Sequence, residues 1–112
     1  MDDFEIACIH LLVRHGLLEH DVLEQLPFVS VADRFHDREE RRTTFRVDPA
    51  APLIIPRDAS TVGVFEIAHI GRPVEVELTI ADGVIRALSV DHPDADWPVA
   101  PQVLGYAEYP EP

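Results

Sequence analysis

The sequence predicts an α+β fold, with an N-terminal helix or helical hairpin packed on an antiparallel β-sheet of about five strands. Three observations carry this. Apolar residues recur at helical spacing only within the first 26 positions. From residue 28 to about 90 the pattern alternates instead, and an Asp82-Gly83 pair separates two of the alternating runs, as in a two-residue hairpin. Helical and strand segments are grouped rather than interleaved, which disfavours parallel crossovers. At 112 residues the chain is read as one domain: helical over 3–26, sheet over about 28–90, and a proline-rich acidic segment over 91–112.

Asp2 or Asp3 can cap the first helix, in which Phe4, Ala7, Cys8, Leu11, Leu12 and His15 recur three and four residues apart. Gly16 follows the last of them, with Arg14 and His15 in the turn where positive charge suits the helix dipole, so the helix is expected to stop there. A second short helix over about 20–26 carries Val22, Leu23 and Leu26 and ends at Pro27. Val29, Val31 and Phe35, a charged turn HDREE, and Thr43, Phe45 and Val47 then read as a hairpin. A rival helix capped by Ser30 would have only Val31 and Phe35 as its apolar face. Pro52 and Pro56 bracket Leu53, Ile54 and Ile55 in an extended crossing segment.

Strands follow near residues 62–69, 74–81 and 84–90, with a turn at 71–73 and a type I′ turn at Asp82-Gly83. A two-residue loop pairs Ile80 with Ile85, Leu78 with Ala87 and Val76 with Ser89 on one face. The other face then mixes Glu75, Glu77 and Thr79 with Val84, Leu88 and Val90. Being half apolar, that face is expected to be covered within the fold, with a partner or oligomer surface as the alternative. In the last stretch, Trp97, Tyr106 and Tyr109 are the large anchors.

Composition narrows the function classes. A net charge of −12 repels nucleic acid and anionic membrane, and favours solubility or a basic protein partner. Residues 1–30 carry six acids against one arginine, and residues 91–112 carry five acids and no base. No apolar run approaches the roughly 18 residues of a membrane span, and the start, Met-Asp-Asp-Phe-Glu, lacks the positive charge of a secretion signal, so a cytoplasmic location is expected. The lone Cys8 excludes an internal disulfide and a multi-cysteine zinc site, and its apolar neighbours suit a buried thiol. All nine basic residues are Arg, and the chain has neither Lys nor Asn; the joint absence of two residues with AT-rich codons suggests a GC-rich genome, with a salt-adapted proteome as the alternative, and either points to a prokaryote.

"LLVRHGLLEH" resembles the opening of the histidine phosphatase superfamily, in which the His of Arg-His-Gly is the phosphorylated nucleophile. That resemblance would make His15 catalytic. In the family the motif closes a strand and is followed by Glu and a Ser or Thr, and a second His comes late, before Gly. Here Leu17 and Leu18 follow, and His92 precedes Pro93. A doubly wound sheet also needs alternating strands and helices, which this chain lacks, so the motif reads as coincidence. The order of elements, resting on "GRPVEVELTIADGVIRALSV" and the leading leucine-rich helix, resembles small uncharacterised bacterial proteins of helix-plus-β-meander type. It implies the fold and no activity.

Few constellations carry chemistry. His10, His15 and His20 are five residues apart, about 140° per step on a helix, and cannot face one ion. The three serines lie outside any Gly-x-Ser-x-Gly elbow. "DHPDAD" gathers Asp91, His92, Asp94 and Asp96 just past a strand end, which reads as a solvated acidic turn, with a divalent cation as the sharper alternative. Arg34, Arg38, Arg41, Arg42 and Arg46 form one basic island, expected to be neutralised within the chain by its acidic ends, with an anion site as the alternative.

The expected function is therefore a small acidic non-catalytic interaction protein, such as an inhibitor or immunity-type protein covering a basic partner. Its expected contacts are Asp91, Asp94, Asp96, Trp97, Tyr106 and Tyr109, with no cofactor or catalytic residue. The alternative is a small-molecule or divalent-metal-binding domain, or a minor enzyme, using the loop from Asp91 to Asp96 with His69 or His92.

Overall fold

Asp2 caps the first helix, as the sequence predicts, and does so reciprocally: its Oδ1 accepts from the Glu5 N–H (2.8 Å) while Glu5 Oε1 accepts from the Asp2 N–H (2.9 Å). The computed structural model describes residues 1–18, 20–37, 40–68, 70–91 and 101–106. Helix α1 spans Asp3–Arg14, and Gly16 stops it in the left-handed region at φ +73°. Helix α2 spans Asp21–Gln25 and runs into a 3-10 turn at Leu26–Phe28.

Six strands follow: β1 (Val29–His36), β2 (Glu40–Val47), β3 (Ala59–Ile67), β4 (Val74–Ala81), β5 (Val84–Asp91) and β6 (Val103–Tyr106). They form one antiparallel sheet in the order β1-β2-β5-β4-β3-β6. The hairpin of β1 and β2 thus joins the later strands through β5, and the proline segment carries the chain past β5 and β4 to β3. The sixth strand comes from the proline-rich C-terminal segment, where the sequence predicts only partial docking.

The α1 face that meets the sheet is Phe4, Glu5, Cys8, Ile9 and Leu12, all buried. Ile9 and Glu5 take the places that simple periodicity gives to Ala7 and Leu11, because the helix crosses the sheet obliquely. Its first turn lies over β1 and β2, where Glu5 meets Arg34 and Thr43, and its last lies over β3 at Gly63. A Cβ on Gly63 would come within 2.5 Å of Leu12 Cδ2 and 3.1 Å of Phe65 Cζ. Gly63 is therefore what lets the helix approach. Gly63→Val should reduce unfolding free energy by about 1–3 kcal/mol, with overpacking at Leu12 as the cause, measurable by urea titration.

Two bulges set which side chains face the helix. In β1, Val31 pairs with Phe45 and Asp33 with Thr44, leaving Ala32 extra. The slip turns Arg34 inward and puts Phe35, expected among the apolar residues of its strand, on the open face, 53% exposed and opposite Arg42. In β5, Ile80 pairs with Ile85 as expected, but Thr79 pairs with Ala87, so Arg86 is extra and the partners of Leu78 and Val76 become Leu88 and Val90. The half-apolar outer face expected from a regular two-residue hairpin is thereby corrected. Leu88 and Val90 join the buried core with Val74, Val76, Leu78, Ile80 and Phe65.

The Asp82-Gly83 turn has both residues left-handed, at φ +54° and +76°, as a type I′ turn requires. It also anchors the rest of the fold. Gly83 O accepts from the Ile54 N–H, and Gly83 N–H donates to Arg57 O, both at 2.8 Å. The fully buried Gln25 carboxamide donates to Pro52 O (2.9 Å) and Gly83 O (3.0 Å) and accepts from the Ile85 N–H (2.8 Å). Bulging at Arg86 releases Ile85 from regular pairing, and α2 fills that vacancy through one side chain.

Candidate protein-docking face

The helices cover one face of the sheet and leave the other open among the described residues. Strand alternation places Glu40 and Arg42 of β2, Ser89 and Asp91 of β5, Glu75 and Glu77 of β4 and Val62 of β3 on this outer face. They line a concavity of about 440 Å³, together with the backbone around Val90. Register makes two rows across the strands. In one, Phe35, Arg42, Ser89, Glu77 and Val62 are successive partners. In the other, Glu40 lies opposite Asp91, and Glu75 pairs with Val64.

Four carboxylates and one guanidinium therefore line the concavity. Arg42 Nη1 lies 3.5 Å from Glu40 Oε1, and both side chains are well exposed, so that pair is worth only a few tenths of a kcal/mol. Among the described residues that line it, the concavity thus has four acidic side chains and one arginine. Phe35 and Val62, 53% and 47% exposed, give it an apolar residue at each end of the first row. Among the described residues no three acidic, His or Cys side chains converge as a metal ion would need, so the carboxylates form a spread array rather than a cage.

A second charged cluster lies on the opposite, covered face. Glu5 is fully buried; its Oε1 accepts from Arg34 Nη2 (2.8 Å), and its Oε2 from Arg34 Nε (3.3 Å) and the Thr43 hydroxyl. Arg41 Nη2 donates to Asp2 Oδ2 (2.9 Å), and its guanidinium stacks over Phe4 at 4.9 Å. Burial alone would raise the Glu5 pKa, but the Arg34 and Thr43 side chains, the Asp2 N–H and the Arg34 charge together lower it from 4.5 to about 2. These bonds join α1 and its cap to β1 and β2, so the cluster fastens the helix to the sheet. The basic island is neutralised internally at Arg34, Arg41 and Arg42, as expected. Burial pushes the Cys8 thiol well up, which suits a core residue rather than a nucleophile.

Of the residues expected at the site, Asp91 ends β5 on the rim of the concavity. Tyr106 ends β6, its backbone opposite Phe65. Asp94, Asp96, Trp97 and Tyr109 lie outside the described residues, as do His69 and His92. Glu40 is absent from the expected contacts, and Glu75 and Glu77 enter the sequence reading only as members of the face whose alternative is a partner surface. Alternation in β4 signals the last two, but Glu40 reaches the site only through the pairing of β2 with β5, which local sequence does not encode. Arg14-His15-Gly16 forms the end of a helix, with no strand leading into it. No described helix is long and apolar enough to cross a membrane. Comparison with known proteins finds no match to a family model, a curated protein or a solved structure.

Proposed function

We propose that this chain is a non-catalytic interaction protein, of inhibitor or immunity type, that docks a basic protein through the outer face of its sheet. The observation that supports this reading most is the acidic concavity of Glu40, Glu75, Glu77 and Asp91 on a face that the described residues leave uncovered. A net charge of −12 adds long-range attraction, which accelerates encounter with a basic partner and weakens as salt screens it. Phe35 and Val62 supply apolar contact at the edges of the charged field.

The test is capture of partners from the source cell by the immobilised protein at low ionic strength. A single stoichiometric basic protein should be retained, released as salt rises, and absent from a column carrying the E75K/E77K variant. Retention that is equal on the variant, or that survives high salt, would contradict the reading. So would thermal stabilisation by a divalent ion or metabolite with no protein captured, which would favour a ligand-binding domain.

A further inference from the structure

Strands β2, β5, β4 and β3 are each paired on both sides, whereas residues 52–58 pair with no strand. This proline segment is held by α2 and by the hairpin turn between β4 and β5. The Ile55 N–H donates to Asp21 Oδ2 (3.2 Å), and the Gln25 carboxamide donates to Pro52 O (2.9 Å). On the turn side, the Ile54 N–H donates to Gly83 O and the Gly83 N–H to Arg57 O, both at 2.8 Å. Gln25 also reaches Gly83 O and the Ile85 N–H, so one side chain joins the helix, the segment and the hairpin. Helix α2 is five residues long, too short to persist as a free helix, and no side chain caps its start. Among the described residues Asp21 Oδ1 is buried with no hydrogen-bond partner, a cost that exposure to water removes.

We infer that α2 and the proline segment form one latch on the β4–β5 hairpin, which opens and closes as a unit while the sheet stays paired. The bonds at Asp21 and Gln25 are shared between the two parts, so neither part keeps them when the other leaves. Val22, Ile54 and Ile80 are buried at the base of a cleft of about 250 Å³, with Leu17 and Ile55 exposed at its rim. Opening widens that cleft toward the buried Ile85 and presents an apolar surface that the closed form withholds. The latch is therefore a gate on apolar surface, held at its centre by one carboxamide. Two simpler motions differ from it. Fraying of α2 alone leaves Ile54 bonded to Gly83, and unfolding of the whole chain releases the sheet amides at the same time.

Amide hydrogen exchange of the wild-type chain, followed by NMR across sub-denaturing urea concentrations, tests this. The amides of Ile54, Gly83 and Ile85 should share one protection factor and one urea dependence, at least about 30-fold below the most protected amides of β4. Val22→Ala alters none of the groups in those three hydrogen bonds, yet it should lower all three protection factors together, by at least about 10-fold. Protection of the three amides equal to that of β4 would mean that only global unfolding exposes them, and overturns the latch. Three unrelated protection factors, or a Val22→Ala effect confined to α2, overturns it as well. If Val22→Ala fails to fold, the wild-type comparison alone decides.

Discussion

Glu5→Ala is expected to lower unfolding free energy by about 3–4 kcal/mol. Removing the carboxylate leaves the Thr43 hydroxyl buried without its acceptor and strips Arg34 of both its hydrogen bonds to Glu5. Arg34 is 44% exposed and can turn to water, but Arg41 is only 11% exposed and keeps Asp2 alone. The capping box is lost as well, exposing the Asp2 N–H at the start of α1. Glu5→Gln retains the shape and one acceptor, so it should lose no more than the ionised form's advantage, about 3 kcal/mol.

The same group sets an acid dependence. The folded pKa of Glu5, about 2, lies below its ordinary 4.5, so the folded state binds this proton less readily than the unfolded chain. The resulting stability is fully present above pH 4.5 and disappears as pH falls toward 2. Its size follows from the shift, about 3 kcal/mol. Urea titrations at several pH values between 7 and 2 should show the wild type losing that increment relative to Glu5→Gln, the two curves converging at the acid end. Parallel curves would mean that Glu5 does not hold its proton off in the fold.

Gln25→Leu should be nearly as damaging, at about 2–4 kcal/mol. One carboxamide holds three backbone groups from two separate segments: Pro52 O, Gly83 O and the Ile85 N–H. Leucine fills the volume and satisfies none of them. Gly83 O retains the Ile54 N–H, but the Ile85 N–H and Pro52 O are left buried or half-buried without that partner. The Ile85 amide should therefore lose its hydrogen-exchange protection before the strand as a whole does. A loss below about 0.5 kcal/mol, with Ile85 still protected, would show that the α2 contact is dispensable.

Much of this fold is legible in the sequence. The Asp2 cap, the stop at Gly16, the hairpin after Phe28 and the Asp82-Gly83 turn each follow from local chemistry, because one residue's preference decides each. The two bulges are not local in that sense. Arg86 bulges because Ile85 finds a better acceptor in Gln25, 60 residues away in sequence, and because the slip buries Leu88 and Val90. Phe35 turns outward because Arg34, one position earlier, is drawn in to Glu5. Each slip reverses every later side chain on its strand, so a single non-local bond decides the identity of a whole face. The candidate site inherits this. Asp91 and the acidity were readable, whereas the array with Glu40, Glu75 and Glu77 depends on the β2 and β5 pairing and on a register that sequence alone mis-sets.

On the proposed role, the position of the outer-face charge, rather than the total, makes the docking surface. Its most direct measurement compares two double neutralisations of equal net charge by their affinity for the captured basic partner at low ionic strength. E75Q/E77Q alters the concavity, and D3N/E24Q alters exposed acids on the first turns of the two helices. Binding about tenfold weaker is expected for the first pair, with little change for the second. Equal weakening by both would reduce the face to bulk charge and contradict the account.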